Sequence, residues 1–196
     1  MASQQAIRAQ GKAPKARIPA AERRALILRE AGRLFARHGY AGTRLDDVAA
    51  AAHVTKPMVY RHFESKKALY LALLDKHEDD LPTFLEDGLE IPSILEHWLD
   101  YVRENSHAWV MLFRDGSGDD EIRERRRRVS LRAREVLAGF IAERGGARIP
   151  PDQIEPTAEL LTSGLAGLAL WWIDHPDVPK HVVAAVAGRI SGAALA

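Results

Sequence analysis

Three cap-forming positions, Thr43, Thr55 and Ser65, cut residues 43 to 81 into short helical pieces. Thr43 sits three residues before Asp46, the spacing of a capping box, so a helix is expected from about Arg44. Its apolar stripe of Leu45, Val48, Ala49 and Ala52 lasts some two turns and stops at His53. Thr55 caps the next helix, Lys56 to Phe63, with Pro57 in the first turn where no helical hydrogen bond is lost. Ser65 opens another towards Leu81, closed by Pro82. Upstream, Ile27, Ala31, Leu34, Phe35 and His38 fall at helical spacing and Gly39 stops the run. Two short helices joined by a turn of about three residues, packed on a longer one, make a helix-turn-helix.

Each position in that motif meets a steric demand. Ala49 is small where the two short helices come closest, and Val54 and Val59 fill the wedge between them. His53 occupies the turn, where a positive φ is usual; Gly is easiest there, and His tolerates it better than most.

Charge divides the chain as sharply as the caps do. Residues 1 to 70 carry 14 Lys and Arg against 5 Asp and Glu, and the remainder 14 against 22, which hides under a net charge of +1. A basic head on an acidic body points to a polyanion at one end. At 46% apolar residues the chain buries a real core. Cysteine is absent, which excludes disulfides and thiolate metal sites. The first thirty residues lack the uncharged core of a signal peptide and no long uncharged apolar run follows, so a cytoplasmic protein away from membranes is expected.

The stretch TRLDDVAAAAHVTKPMVYRHFESKKALYLALL resembles the DNA-binding domain of the TetR/AcrR family of bacterial regulators. The likeness covers roughly residues 20 to 80. Its specific part is Val54 to Phe63 followed by Ser65, Lys66, Lys67, Ala68 and Leu69, similar to the family's Y-x-H-F…SK-x-x-L signature. His53 departs from the glycine that members often carry. The resemblance implies an all-α protein with an N-terminal three-helix DNA-binding domain and a C-terminal helical domain for ligand binding and dimerisation. It also implies a homodimer on a palindromic operator in double-stranded DNA, a small, often hydrophobic effector among the middle helices, and repression relieved by that effector.

On these grounds residues 1–18 form a flexible basic arm, which either follows a DNA groove or is a solvated tail. Residues 19–66 form the DNA-binding domain, with its motif at about 44–63, and residues 67–196 the effector-binding and dimerisation domain. The recognition helix turns Thr55, Lys56, Met58, Tyr60, Arg61 and His62 outward. Its N-terminal Lys56, Pro57 and Met58 are placed for base edges: Lys56 for guanine O6 or N7, Pro57 and Met58 for a thymine methyl. Tyr60 and His62 suit phosphate oxygens, as the family's equivalents do. Thr43, Arg44 and Lys66, at helix N-termini, complete the expected DNA contacts; Thr43 is alternatively a cap alone and Lys66 a solvated charge.

Downstream, helices are expected at Pro92–Asn105, His107–Phe113, Asp119–Glu143, Ile154–Asp174 and Val178–Leu195. Trp98, Tyr101, Trp109, Met111 and Phe113, with Leu168 and Trp172, either line an apolar pocket or fill the core. Leu161, Gly164, Leu165, Leu168, Val182, Val183, Val186 and Ile190 on the last two helices suit a self-complementary four-helix bundle, or packing within one chain. The run RERRRR at 123–128 follows three acids, and Glu121–Arg125 and Glu124–Arg128 stand at i to i+4, so a solvated, internally paired helix face is expected.

Other function classes find less support. An enzyme needs a nucleophile–base pair, a phosphate loop or a carboxylate dyad, and none is present. His97 and His107, or His175 and His181, lack the helical i, i+4 spacing of a metal pair, although eight histidines leave a metal-sensing regulator open. A helical protein-interaction module leaves the basic head unexplained. No cofactor is implied.

Overall fold

The computed structural model describes residues 19–81, 90–145 and 148–195. The expected basic arm at 1–18 and the Pro82 stop lie outside them. Among the described residues every regular element is a helix: α1 (Ala20–Gly42), α2 (Leu45–Ala51), α3 (Lys56–His62), α4 (Lys66–Asp80), α5 (Ile91–Glu104), α6 (Ser106–Phe113), α7 (Asp120–Gly145), α8 (Pro151–Asp174) and α9 (Lys180–Leu195). None is long and apolar enough to cross a membrane.

Helix α1 buries Ile27, Leu28, Ala31, Gly32 and Phe35, a single stripe at helical period. Its regular part ends at Gly39, where φ is +68°. The carbonyls left over at that end are satisfied by two side chains from beyond it. Thr43 Oγ1 donates to Gly39 O at 2.9 Å and Leu34 O at 3.2 Å, and Lys66 Nζ donates to Tyr40 O at 2.8 Å and Thr43 O at 3.0 Å. The capping box expected at Thr43 is therefore not formed. Helix α2 begins one residue later with Arg44 at its cap, and the hydroxyl turns back to α1, where unpaired acceptors outnumber donors.

The turn between α2 and α3 takes the expected form. His53 has φ 51°, the only non-glycine residue with positive φ among those described. Ser65 Oγ caps α4 by accepting from the Ala68 N–H at 3.0 Å. Thr55 stands at the cap of α3 but makes no side-chain cap bond.

A first core joins the small helices to the body: Ile27, Phe35, Val48, Val59 and Phe63 pack with Leu69, Tyr70 and Leu74 of α4, Met111 of α6, and Ile122 and Val129 of α7. A second gathers Leu95, Leu99, Trp172 and Val183 from α5, α8 and α9. Helices α1 and α6 approach closely at Gly32, where an added Cβ would come within 2.2 Å of His107 Cδ2.

Two sequence expectations change in the body. Helix α8 starts at Pro151, not Ile154, because a proline in the first turn costs nothing; Pro156 is carried inside the helix. The RERRRR run is partly paired along its own helix, Arg123 with Asp120 and Arg127 with Glu124, but the expected i to i+4 pairs do not form. Arg125 pairs with Asp75 and Arg128 with Glu78, both on α4, and Glu121 pairs with Lys67. Arg126 is buried, 3.2 Å from the Asp115 carboxylate. The cause is the close packing of α7 on α4, which brings opposite charges nearer than one helical turn does.

Candidate functional site

One face of α3 is free of the core. Val59 and Phe63, four residues apart, key the helix inward, and Thr55, Lys56, Pro57, Tyr60 and Arg61 are consequently exposed, with Met58 and His62 half-buried. Tyr60 keeps 48% of its surface in solvent. Lys56 Nζ stands 3.0 Å from Asp46 Oδ2 with both groups exposed. Such a pair is worth about 1 kcal/mol or less, so it opens readily to a competing base edge or phosphate.

Three of the expected DNA contacts have other tasks or are enclosed. The Thr43 side chain is only 2% exposed, and its hydroxyl proton is spent on α1 carbonyls. Lys66 caps the end of α1 and lies over the Tyr40 ring. The ring N–H expected of His62 finds no outward path at Nε2, which is enclosed and without a partner among the described residues. Arg44 remains exposed at the cap of α2.

A cavity of about 160 Å³ lies between α4, α5, α6, α7 and α8. Trp98, Tyr101, Trp109 and Phe113 line it as expected, with Trp98 edge-on to Trp109 and Trp109 stacked on Phe113. Three of the other expected lining residues are structural. Met111 is fully buried in the first core. Trp172 belongs to the second core and donates through Nε1 to Val178 O at 2.9 Å, and Leu168 packs beside it.

Sequence reasoning missed the polar atoms of this cavity. Buried Nε2 of His77, Nε1 of Trp109 and Oγ1 of Thr162 lack hydrogen-bond partners among the described residues, and all three residues line it. A buried polar atom left unpaired costs about 1–3 kcal/mol, so three on residues that line one space are an unusual concentration. His77 Nδ1 meets the Tyr101 hydroxyl, which donates its one proton to Asp80 Oδ2 at 2.9 Å. Nδ1 must then carry the imidazole proton, and Nε2 is a bare lone-pair acceptor. Burial, then the neighbouring His107 and Lys76, push the His77 pKa down to about 3, so the ring is neutral.

Similarity to known proteins settles the family. A profile of bacterial regulatory proteins, tetR family, matches residues 27–73. The HTH-type transcriptional repressor SCO4008 of Streptomyces coelicolor is 31% identical over 152 residues, 76% of this chain and 77% of that protein. The chain belongs to the TetR family. Like its relatives, this TetR-family protein is a DNA-binding transcriptional regulator and not an enzyme. The HTH-type transcriptional activator FasR of Mycolicibacterium smegmatis is 32% identical over 105 residues, 50% of this chain but only 48% of that relative. The solved structure of AibR with isovaleryl coenzyme A and operator DNA shares the fold, with a TM-score of 0.65 at 20% identity, over 85% of this chain and 97% of that one.

The TetR-family chain also leaves an apolar face uncovered on its last two helices. Leu160, Gly164, Gly167 and Trp171 follow one face of α8 and are all exposed, as are Val182 and Ile190 of α9. Of the expected interface residues, Leu161 and Val183 point the other way, 3% and 2% exposed. Leu165 lines the cavity, and Leu168 packs on the second core. The available signal was that α8 is largely apolar from Leu160 to Trp172, with Leu160–Leu161 and Trp171–Trp172 pairs, the pattern of a helix serving two partners.

Proposed function

We propose that this regulator is a homodimeric repressor that reads a palindromic operator with α3 and leaves it when a small, largely apolar effector fills the cavity. The carrying observation is the join between the two sites: α4 contributes Leu69, Tyr70 and Leu74 to the core holding the small helices, and its His77 lines the cavity. An effector that binds two positions of α4 unequally shifts the DNA-binding equilibrium by that difference in affinity.

On this reading Lys56, Pro57 and Met58 face base edges, while Thr55, Tyr60, Arg61 and Arg44 hold the backbone. The exposed face of α8 and α9 joins two copies, so that two recognition helices meet half-sites about 34–36 Å apart, or a multiple of that. Gly164 and Gly167 favour the close approach, since a Cβ at either would meet nothing within 4 Å in the single chain. The complex of AibR with an acyl-coenzyme A and operator DNA supports a ligand-linked switch on this fold.

The test is a gel-shift assay on the intergenic DNA beside the protein's own gene. Binding in low salt that weakens steeply as salt rises supports the reading. No shift in low salt sinks it.

A further inference from the structure

Resting on that reading of the cavity, we infer that its occupant is a compact, uncharged apolar molecule bearing a hydroxyl group, of the class of simple aromatic or branched alcohols and phenols. Size comes first. A cavity of about 160 Å³ matches the roughly 150 Å³ that accepts benzene in engineered protein interiors. The wall is made mainly of aliphatic and aromatic side chains such as Ile94, Leu95, Trp98, Phe113 and Phe140, so the body of the occupant is apolar.

Charge is excluded by what the wall lacks. Among the described residues that line it there is no Lys, Arg, Asp or Glu, and the single ionisable imidazole, His77, is held neutral by burial. A carboxylate entering this space loses its hydration without meeting a cation, and an ammonium without meeting an anion.

The orphaned atoms then choose among neutral groups. Trp109 Nε1 is a donor and requires an acceptor; His77 Nε2, with its proton on Nδ1, is an acceptor and requires a donor; Thr162 Oγ1 serves as either. A hydroxyl accepts and donates. A hydrocarbon does neither, a carboxylate donates nothing, and an ammonium accepts nothing. The three atoms sit on α4, α6 and α8, so an occupant bonded to them ties three walls of the cavity together.

Four molecules of nearly one shape test this: benzyl alcohol, toluene, benzoate and benzylammonium. Binding to the full-length protein is read by tryptophan fluorescence, since Trp98 and Trp109 lie in the wall, and by calorimetry. Benzyl alcohol is expected to bind at least tenfold more tightly than each of the other three. Thr162→Val and Trp109→Phe should reduce its advantage over toluene to threefold or less while toluene affinity holds, with calorimetry the readout for the tryptophan variant. Equal binding of benzyl alcohol and toluene overturns the role of the polar atoms. Tighter binding of benzoate or benzylammonium overturns the exclusion of charge. If none of the four binds while the same preparation still shifts operator DNA, the occupant class is wrong and the DNA-binding reading stands; loss of the DNA shift itself is the failure of that reading.

Discussion

Replacing Asp115 with alanine removes the centre of the junction between the small helices and the body. The Asp115 carboxylate lies 3.2 Å from the Arg126 guanidinium, with side chains only 7% and 9% exposed. It also accepts from the Tyr40 N–H at 3.0 Å, the Ser117 N–H at 2.9 Å and the Tyr70 hydroxyl at 3.1 Å. After the substitution Arg126 keeps the Tyr70 oxygen at 2.5 Å and Ser117 O at 2.8 Å, but no counter-charge. A buried charge stranded this way costs about 3–5 kcal/mol. Against a total stability of about 5–15 kcal/mol, that is a large fraction. For a chain of this size it lowers the melting temperature by roughly 6–20 °C. The assay is circular dichroism at a fixed protomer concentration, since the proposed dimer would contribute to the midpoint. Asp115→Leu combined with Arg126→Met removes both charges and should recover at least half of the loss. A single variant within about 1 kcal/mol of the parent, a change that surface substitutions reach, refutes the reasoning, as does a double variant less stable than the single one.

Acid should destabilise the protein through His77. With its folded pKa lowered to about 3, the unfolded chain takes up the proton first, so stability is full above about pH 6.5 and falls towards pH 3. At pH 5 the deficit from His77 is about 2 kcal/mol, and His77→Gln should lessen the slope in urea titrations at several pH values, leaving the part due to His107, which burial lowers to about 4. Arg61→Ala should weaken operator binding and reduce the log–log salt slope by about 0.9 if the side chain neutralises one phosphate; an unchanged slope removes Arg61 from the backbone contacts. Leu160→Glu or Ile190→Glu should give monomers in sedimentation velocity with helix content unchanged, and a persisting dimer relocates the interface. Arg125→Gln together with Arg128→Gln should change stability by less than about 2 kcal/mol, because both pairs are partly exposed, while shifting the effector concentration needed for half-release.

Helix positions and the recognition face were legible because they follow from one-dimensional rules. Val59 and Phe63 face inward because they are four residues apart, which leaves Tyr60 and Arg61 between them facing out. His53 takes its positive φ because α2 and α3 are too close in sequence for another turn. The failures share one cause: the decisive partner is distant in sequence. Thr43 at the cap spacing was claimed by carbonyls of the preceding helix, and Lys66, at a helix start suited to anions, by Tyr40, 26 residues away. In the RERRRR run, Asp75 and Glu78 of another helix outcompeted neighbours one turn away. Aromatic density located the cavity but could not separate Trp109 in its wall from Trp172 in the core. Only packing shows that the Trp172 N–H is satisfied and that the Trp109 N–H has no partner among the described residues.

On the proposed reading, the geometry of α4 gives a filled cavity its route to the DNA-binding end. Tyr70 and His77 are seven residues apart, two turns along one face. At Tyr70 the helix is anchored by the buried contact with Arg126 and Asp115 and by edge-on packing against Phe35 of α1. At His77 it faces open volume, and the ion pairs that tie this stretch to α7, Arg125–Asp75 and Arg128–Glu78, are partly exposed and individually weak. A helix fixed firmly at one end and loosely at the other responds to force at the loose end by pivoting. In the proposed switch, an occupant that bonds Nε2 of His77 applies that force where resistance is least, and the small helices packed against the anchored end turn with it.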